Sequence, residues 1–140
     1  MREIKFRGYD TKLNQWIYGD LYKNHKYDAE YGEKTEYLIH RIIETEEGKT
    51  KYNSINFNID EYSIGQSTGL FDVNKKEIFE GDIVKYTLYN KSVLYEVKYN
   101  NSTLSWQLSN KLENENISFA FKSRLEVIGN VYENPEIEVE

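Results

Sequence analysis

The stretch that decides the fold is residues 83–109, IVKYTLYNKSVLYEVKYNNSTLSWQLS. It contains three short runs in which apolar side chains take every second position, separated by the polar triplets NKS (90–92) and NNS (100–102). The apolar positions are Val84, Tyr86 and Leu88, then Val93, Tyr95, Val97 and Tyr99, and then Leu104, Trp106 and Leu108. A period of two is the pattern of half-buried β-strands, because successive side chains of a strand point to opposite faces. The stretch therefore predicts a three-stranded antiparallel meander.

The chain that follows the meander predicts two more strands, ISFAF (117–121) and LEVIGNVYE (125–133). Pro135 is expected to end the ordered structure, because proline cannot donate a hydrogen bond to a strand ladder. Five short antiparallel strands between 83 and 133 favour a small, strongly bent barrel. We therefore predict an all-β fold with an SH3-like barrel over residues 65–135.

The N-terminal half, residues 1–64, also has the patterns of strands. The predicted strands are Glu3–Tyr9, WIYGDLY (16–22), YLIHRII (37–43) and KYNSINFNI (51–59). The first two form a hairpin around the polar connector 10–15, and the last two flank a turn, EEGK (46–49). Residues 23–36, KNHKYDAEYGEKTE, mix charges and tyrosines without a period, and this predicts a mobile loop. We expect the N-terminal strands to pack with the barrel or to extend it.

Composition supports the same fold class. The chain of 140 residues has 13 tyrosines, six phenylalanines and two tryptophans but one proline, which is a strand-forming composition. It has no cysteine, which excludes disulfides and thiolate chemistry, and a net charge of −6, which gives little attraction to a polyanion. No linker of flexible composition separates the halves, so we expect one composite β domain over residues 1–140.

The N-terminus, MREIKFRGYD, is charged from its second residue and contains no apolar segment of the kind found in signal peptides. The apolar runs of the chain are also far too short to cross a membrane. A cytoplasmic protein without a membrane partner is the expectation.

The central segment 64–85, IGQSTGLFDVNKKEIFEGDIVK, combines glycines with acidic residues and could in principle be a phosphate loop or a metal site. Its glycines do not have the spacing or the following helix of a phosphate loop, and its acids do not have the spacing of a calcium loop. Tight turns between strands explain more of the segment, because glycine supplies positive φ while Asp and Asn bond to their own turn backbone. The residues assigned to this structural turn motif are Gly65, Gly69, Asp72, Asn74, Gly81 and Asp82.

No catalytic constellation is visible in the sequence. His25 and His40 are isolated, and no serine stands in a G-x-S-x-G motif. The prediction is therefore a non-enzyme, with no catalytic, cofactor-binding or metal-binding residue and no cofactor.

Two kinds of binding function remain open. Tyrosine is enriched at protein interfaces, and 13 tyrosines exceed what a small core needs. The main expectation is therefore a protein-binding or self-assembling module, which forms a homo-oligomer or binds another protein partner. The alternative is a nucleic-acid-binding accessory protein, since small barrels stack bases on aromatic side chains beside a basic groove. The candidate interaction face consists of Lys85, Tyr86, Tyr89, Tyr95, Lys98, Tyr99 and Trp106.

Three blocks of the sequence resemble the YopX family of phage and prophage proteins. They are MREIKFRGYD at the start, the central segment 64–85, and VIGNVYENPEI near the end, and they occur in the same order as in that family. Two residues depart from the family pattern: Tyr9 stands where Trp is usual, and Lys75 stands where Gly is usual. The second departure predicts a type I turn, or Asn74 alone in the left-handed region.

The resemblance implies a β-rich, largely SH3-like fold and a gene carried by a bacteriophage or prophage. It brings no established activity and no catalytic residue. The expectation from the sequence is therefore a phage-type binding or assembly module, and the sequence does not name its partner.

Overall fold

The computed structural model describes residues 3–44, 52–120 and 124–139. These residues form eleven β-strands, paired antiparallel, and two single-turn 3-10 helices, without an α-helix, which confirms the predicted all-β class. The strands are β1 (Phe6–Asp10), β2 (Gln15–Asp28), β3 (Gly32–Glu44), β4 (Tyr52–Asn58), β5 (Gly65–Phe71), β6 (Glu77–Phe79), β7 (Asp82–Leu88), β8 (Lys91–Asn100), β9 (Ser105–Ser109), β10 (Asn114–Asn116) and β11 (Leu125–Asn130). In the part of the chain that is described, no helix has the length and apolar character needed to span a bilayer.

The described residues fall into two compact units, 4–66 and, with Glu3, 67–139. The boundary lies within two residues of the division between 64 and 65 that the sequence suggested. That the two units act as a single composite domain stays a prediction.

In the unit 4–66 the strands lie in the order β4-β3-β2-β1, and the first residues of β5 pair with β1. The hairpin predicted around residues 10–15 is confirmed, with Asp10 opposite Gln15. Asp10 ends β1 because its Oδ1 accepts the N–H groups of Lys12 and Leu13, 2.9 and 3.0 Å away. The buried core of this unit is small and consists of Ile17, Ile39 and Ile59.

The mobile loop predicted at residues 23–36 is wrong, because these residues form the outer part of the β2–β3 hairpin. The pairing runs without a break from Asp20 opposite His40 to Asp28 opposite Gly32. Both faces of this part carry polar and charged side chains, so the apolar alternation that marks a half-buried strand is missing. The turn predicted at 46–49 lies outside the described residues.

In the unit 67–139 five strands form an antiparallel sheet in the order β10-β9-β8-β7-β11. The predicted meander is confirmed as β7–β8–β9, with Val84 opposite Tyr95 and Val97 opposite Leu108. The first turn is tighter than expected, because Tyr89 and Asn90 alone connect the strands, both at positive φ as in a type I′ hairpin. The buried core comprises Ile78, Val84, Tyr86, Tyr95, Val97, Leu108, Ile117, Ala120 and Leu125.

The fourth predicted strand is wrong in its position. Residues 114–116 form β10, and Ile117–Phe119 form a 3-10 helix that Asn116 caps by accepting the N–H of Ser118, 2.9 Å away. The fifth strand is shorter than predicted, because Asn130 Oδ1 accepts the N–H groups of Tyr132 and Glu133 and turns the chain. Since β10 and β11 end the sheet in the described residues, no closed barrel forms there, and the SH3-like barrel stays a prediction.

Candidate interaction surfaces

The central segment 64–85 provides two β-turns and a bulge in the described structure. Gly69 (φ 76°) lies in the irregular pairing of β5 with β6, and Gly81 (φ 86°) connects β6 to β7, both in the region that favours glycine. Gly65 has no positive φ and lies buried opposite Arg7 of β1. The left-handed residue of the intervening turn is Lys75 (φ 63°), so the alternative with Asn74 in this conformation is wrong. The N–H of Lys75 donates to Asp72 O, 3.0 Å away, which closes a β-turn over residues 72–75, as the other alternative requires.

Asp72 organises the turn between β5 and β6. Its Oδ1 accepts the N–H groups of Asn74 and Lys76, each 2.8 Å away, and its Oδ2 accepts the N–H of Val127 in β11, 2.9 Å away. The side chain is buried, and it joins residues 55 positions apart in the chain. Both carboxylate oxygens thus accept backbone hydrogen bonds that stabilise the turn and its contact with β11, which is a structural role.

Asp82 has a related role at the next turn. It is 1% exposed, and its Oδ2 accepts the N–H of Phe79, 2.8 Å away. Among the described residues, no three His, Asp or Glu side chains come together as a set of metal ligands.

The seven residues of the predicted interaction face do not lie on one surface, which corrects that hypothesis. Tyr86 and Tyr95 are 7% and 5% exposed and belong to the core of the unit 67–139. Lys85 precedes Tyr86 in the same strand, and neighbours in a strand point to opposite faces. Lys85 and Tyr86 are adjacent in the sequence, and for that reason their side chains lie on opposite faces of the sheet and cannot share one surface.

The two lysines of that face are engaged with carboxylates. Lys85 Nζ lies 2.9 Å from Glu126 Oε2, and Lys98 Nζ lies 3.3 Å from Glu96 Oε2. Each positive charge has a negative charge beside it, so these lysines do not add up to a basic surface.

The remaining three aromatic residues take different positions. Tyr99 and Trp106 pair across β8 and β9 in an edge-to-face contact with ring centroids 5.0 Å apart. Tyr89 lies in the β7–β8 turn and is almost fully exposed. Of the aromatic residues in the predicted face, the Tyr99–Trp106 pair and the isolated Tyr89 therefore remain at the surface of this unit.

The buried Tyr95 has a polar partner. Its hydroxyl donates a hydrogen bond to Glu113 Oε1. Burial and the neighbouring carboxylate together raise the pKa of Tyr95 well above the ordinary value of 10.0. The hydroxyl therefore stays protonated and serves as a donor that stabilises the core.

The β2–β3 hairpin of the other unit was missed by the sequence analysis as a candidate surface. Its outer part, residues 23–28 and 32–37, will be called the ribbon. β1 pairs with β2 only as far as Gly19, and β4 pairs with β3 only from Leu38 onward. Among the described residues, the ribbon therefore has two strands and no further strand beside it. Tyr27 and Tyr31 at its tip are each 80% exposed.

The tip of the ribbon is ordered by its own backbone chemistry. Asp28 Oδ1 accepts the N–H groups of Glu30 and Tyr31, 2.8 and 3.0 Å away, and these bonds lower the pKa of Asp28. Gly32 follows at a φ of 79° and begins the return strand. The pattern D-x-x-x-G was the sequence signal for this hairpin, because an Asp opens such turns and a Gly closes them.

Charges along the ribbon are mixed. Lys26 Nζ lies 3.0 Å from Glu36 Oε2, and hydrogen bonding to Lys26 lowers the pKa of Glu36. Lys23 lies over the ring of Tyr37, with Nζ 5.5 Å from the centroid. Residues 23–36 contain three lysines and four carboxylates, and their net charge is −1.

The chain matches the profile of a family described as "YopX protein" over residues 5–137. It is also similar to the crystal structure of protein EF1440 from Enterococcus faecalis, with 25% sequence identity and a TM-score of 0.48 over 97% of this chain and 98% of that one. No curated protein matches the sequence.

Proposed function

This chain belongs to the YopX family, and on that premise we propose that it is a non-catalytic protein-binding or self-assembling module. We place its gene in a bacteriophage or prophage and its site of action in the cytoplasm of the bacterial host. The ribbon, residues 23–28 and 32–37 with its tip, is the proposed contact element for a protein partner.

The observation that carries this proposal is the exposure of two tyrosines at the tip of a narrow ribbon. A two-stranded hairpin is only marginally stable in water, and no third strand of the described chain pairs with the ribbon. Tyr27 and Tyr31 expose most of their rings there, and tyrosine is a preferred anchor in protein interfaces. A partner that covers the tip would bury both rings at once.

The mixed charge of the ribbon favours a protein partner over a nucleic acid. Backbone phosphates are bound by an excess of positive charge, whereas residues 23–36 have a net charge of −1. On the other surface considered, Lys85 and Lys98 each pair with a glutamate. The nucleic-acid-binding alternative therefore has less support than it had from the sequence.

A non-catalytic role is supported by the use of the central acids. Asp72 and Asp82 accept hydrogen bonds from backbone N–H groups, so these carboxylates stabilise turns.

The SH3-like description of residues 65–135 also belongs to this proposal. Its support is the strand order β10-β9-β8-β7-β11, in which the last strand returns beside the first strand of the meander.

The test compares the tagged protein with a Tyr27→Ser/Tyr31→Ser double variant as baits in host cells that carry the phage or prophage. Tyr62→Ser is the matched control, because Tyr62 is 83% exposed and lies outside the ribbon. We expect one protein to be recovered with the unmodified chain and with the control and to be lost with the double variant. The recovered partner, once purified, should bind the double variant at least about tenfold more weakly in calorimetry.

Equal binding of the partner to all three baits would contradict the ribbon as contact element.

The alternative function is tested separately, by fluorescence anisotropy of labelled oligonucleotides at low and moderate salt. Salt-sensitive binding by the unmodified chain would favour the nucleic-acid-binding function instead.

A further inference from the structure

β4 (Tyr52–Asn58) ends its sheet, and its outer edge carries backbone groups that no described strand pairs with. The direction of these groups follows from the ladder with β3. Ile59 donates its N–H to Tyr37 O, 3.1 Å away, so the odd-numbered residues of β4 direct their backbone toward β3. The N–H and C=O groups of Asn56 and Asn58 therefore point outward, together with those of the other even-numbered positions.

β4 differs from the other strands that end a sheet in the described residues. β6 and β10 have three residues each, and each contains a glutamate, Glu77 or Glu115. The outer side of β11 is covered by the β5–β6 turn, because Val127 donates to Asp72 and Leu125 accepts from Val73. Short length, charge and covering are the devices that keep an edge strand from pairing with another chain.

In the part of the chain that the structure describes, β4 has none of these devices. Its sequence, YNSINFN, is seven residues long and contains no charged residue, no proline and no glycine. Ile55 is 40% exposed and lies on the same face as the partly buried Phe57. A long, uncharged edge with an apolar side chain is a template for the addition of another strand.

We propose that β4 pairs antiparallel with β4 of a second copy of this chain and so forms a two-fold symmetric dimer with a continuous sheet. A second copy of this chain suits this edge, because a two-fold axis places the segment against itself, and YNSINFN has no charge that would meet its like and has the apolar Ile55 and Phe57 to pair with each other. This inference deepens the self-assembling part of the proposed function and rests on it.

The backbone directions also restrict the register. Only the even-numbered residues direct their backbone groups outward, so even-numbered residues of one copy must bond to even-numbered residues of the other. A two-fold axis at Asn56 meets this condition and makes the two Asn56 residues a hydrogen-bonded pair. This register places Ile55 opposite Phe57 of the partner subunit, twice in the dimer. A β-branched residue opposite an aromatic one is a favourable cross-strand pair, and non-hydrogen-bonded positions bring such side chains closest.

The absence of native cysteine makes the register testable by crosslinking. In the proposed dimer the two Cα atoms of residue 56 are about 5.5 Å apart, which lies within the range of a disulfide. Residue 58 lies opposite residue 54, so its two copies are roughly 14 Å apart along the strands. Under mild oxidation, Asn56→Cys should form a disulfide-linked dimer and Asn58→Cys should not.

Charge substitutions test the same axis in solution. Asn56→Lys and Asn56→Glu each place like charges opposite one another, and each should raise the dimer dissociation constant at least about tenfold in sedimentation equilibrium. An equimolar mixture of the two variants should restore a dimer, which a misfolded variant could not do. Asn101→Lys, in the exposed turn between β8 and β9, is the control and should leave the dimer unchanged.

The unmodified protein is expected to dimerise in the micromolar range, because a single added strand buries less than a standard interface. A monomer at all concentrations up to hundreds of micromolar would overturn both this inference and the self-assembling part of the proposed function. A dimer that ignores the substitutions at residue 56 and crosslinks equally at 58 would overturn the β4 inference alone. Binding of a partner at the ribbon would be unaffected by either result.

Discussion

Tyr86 and Tyr95 in the meander and Tyr27 and Tyr31 in the ribbon have the same side chain and opposite surroundings. The first two are buried in the core of the unit 67–139, and the second two are each 80% exposed at a hairpin tip. The difference comes from the number of neighbouring elements. A strand inside a five-stranded sheet packs one face against other apolar side chains, whereas a two-stranded ribbon offers no such surface.

The comparison teaches that aromatic content alone does not locate an interface in this chain. Tyr86 and Tyr95, which alternate with polar residues along central strands, are core, whereas Tyr27 and Tyr31, in a segment without a period, lie at the surface. A tyrosine-rich interface is therefore sought where the apolar alternation fails.

Leu108→Ala should have the largest effect, because Leu108 is 1% exposed in the core that holds Tyr86 and Tyr95. We expect the free energy of unfolding of the unit 67–139 to fall by about 3 kcal/mol. Urea denaturation followed by Trp106 fluorescence, in a Trp16→Phe background, measures this unit. Tyr27→Ser is the control and should change stability by less than about 0.5 kcal/mol. Similar losses for both substitutions would contradict the contrast between core and ribbon.

Asp72→Ala should cost about 2–4 kcal/mol in the same unit, because three backbone N–H groups lose their acceptor at a buried position. Asp72→Asn tests the Val127 contact separately. One amide oxygen can still accept within the turn, but the amide nitrogen cannot accept from Val127. The Asn variant should therefore lie between the Ala variant and the unmodified chain. An Asn variant as unstable as the Ala variant would mean that the Val127 bond accounts for the whole loss and that the turn bonds contribute little.

Tyr95→Phe should destabilise the unit 67–139 by about 1 kcal/mol at neutral pH, through loss of the bond to Glu113. The pKa of Tyr95 is raised by folding, so its contribution is fully present below pH 10 and is lost as the pH rises above that value. The unmodified chain should therefore lose stability above about pH 10 more steeply than Tyr95→Phe does. Parallel pH profiles of urea denaturation for the two proteins would refute this linkage.

Lys75→Gly should stabilise the β5–β6 turn by about 0.5–1 kcal/mol, because Lys75 holds a φ of 63° that a glycine adopts without strain. Thermal and urea denaturation give the change. Lys76→Gly at the neighbouring position, where φ is not positive, is the control and should destabilise the protein. A loss of stability in both variants would show that the left-handed residue is not strained.

The smallest expected effect is a local titration at the ribbon tip. The pKa of Asp28 is lowered by hydrogen bonds from the N–H groups of Glu30 and Tyr31, so the order they confer is present at neutral pH and is lost as the pH falls through the lowered pKa. The amide signals of both residues should titrate in NMR spectra with a midpoint below 3.8. Asp28→Asn should abolish the titration, while a midpoint at or above 3.8 would mean that the tip is not held by this carboxylate.

Much of the fold could be predicted from the alternation of apolar and polar residues along the chain, whereas the ribbon could not be predicted as a candidate surface. The meander was predictable because one face of β7, β8 and β9 is buried, and burial imposes alternation on the sequence. The ribbon was not recognised because both of its faces are polar. Its two strands pair without burying a face, so their sequences carry no apolar alternation. Its signal was the turn itself, Asp28 with Gly32, which is a weaker cue than a repeated pattern.

Sequence pattern alone was enough to predict the all-β class, the strands that bury one face, and the YopX family, to which the chain belongs. These properties follow from local alternation, from turn residues and from the order of three sequence blocks along one chain. The folded arrangement was needed to learn which tyrosines are core, which lysines meet carboxylates, and which sheet edge no described strand pairs with. Those outcomes depend on residues far apart in the chain, as when Asp72 accepts from Val127, and no local period encodes such contacts.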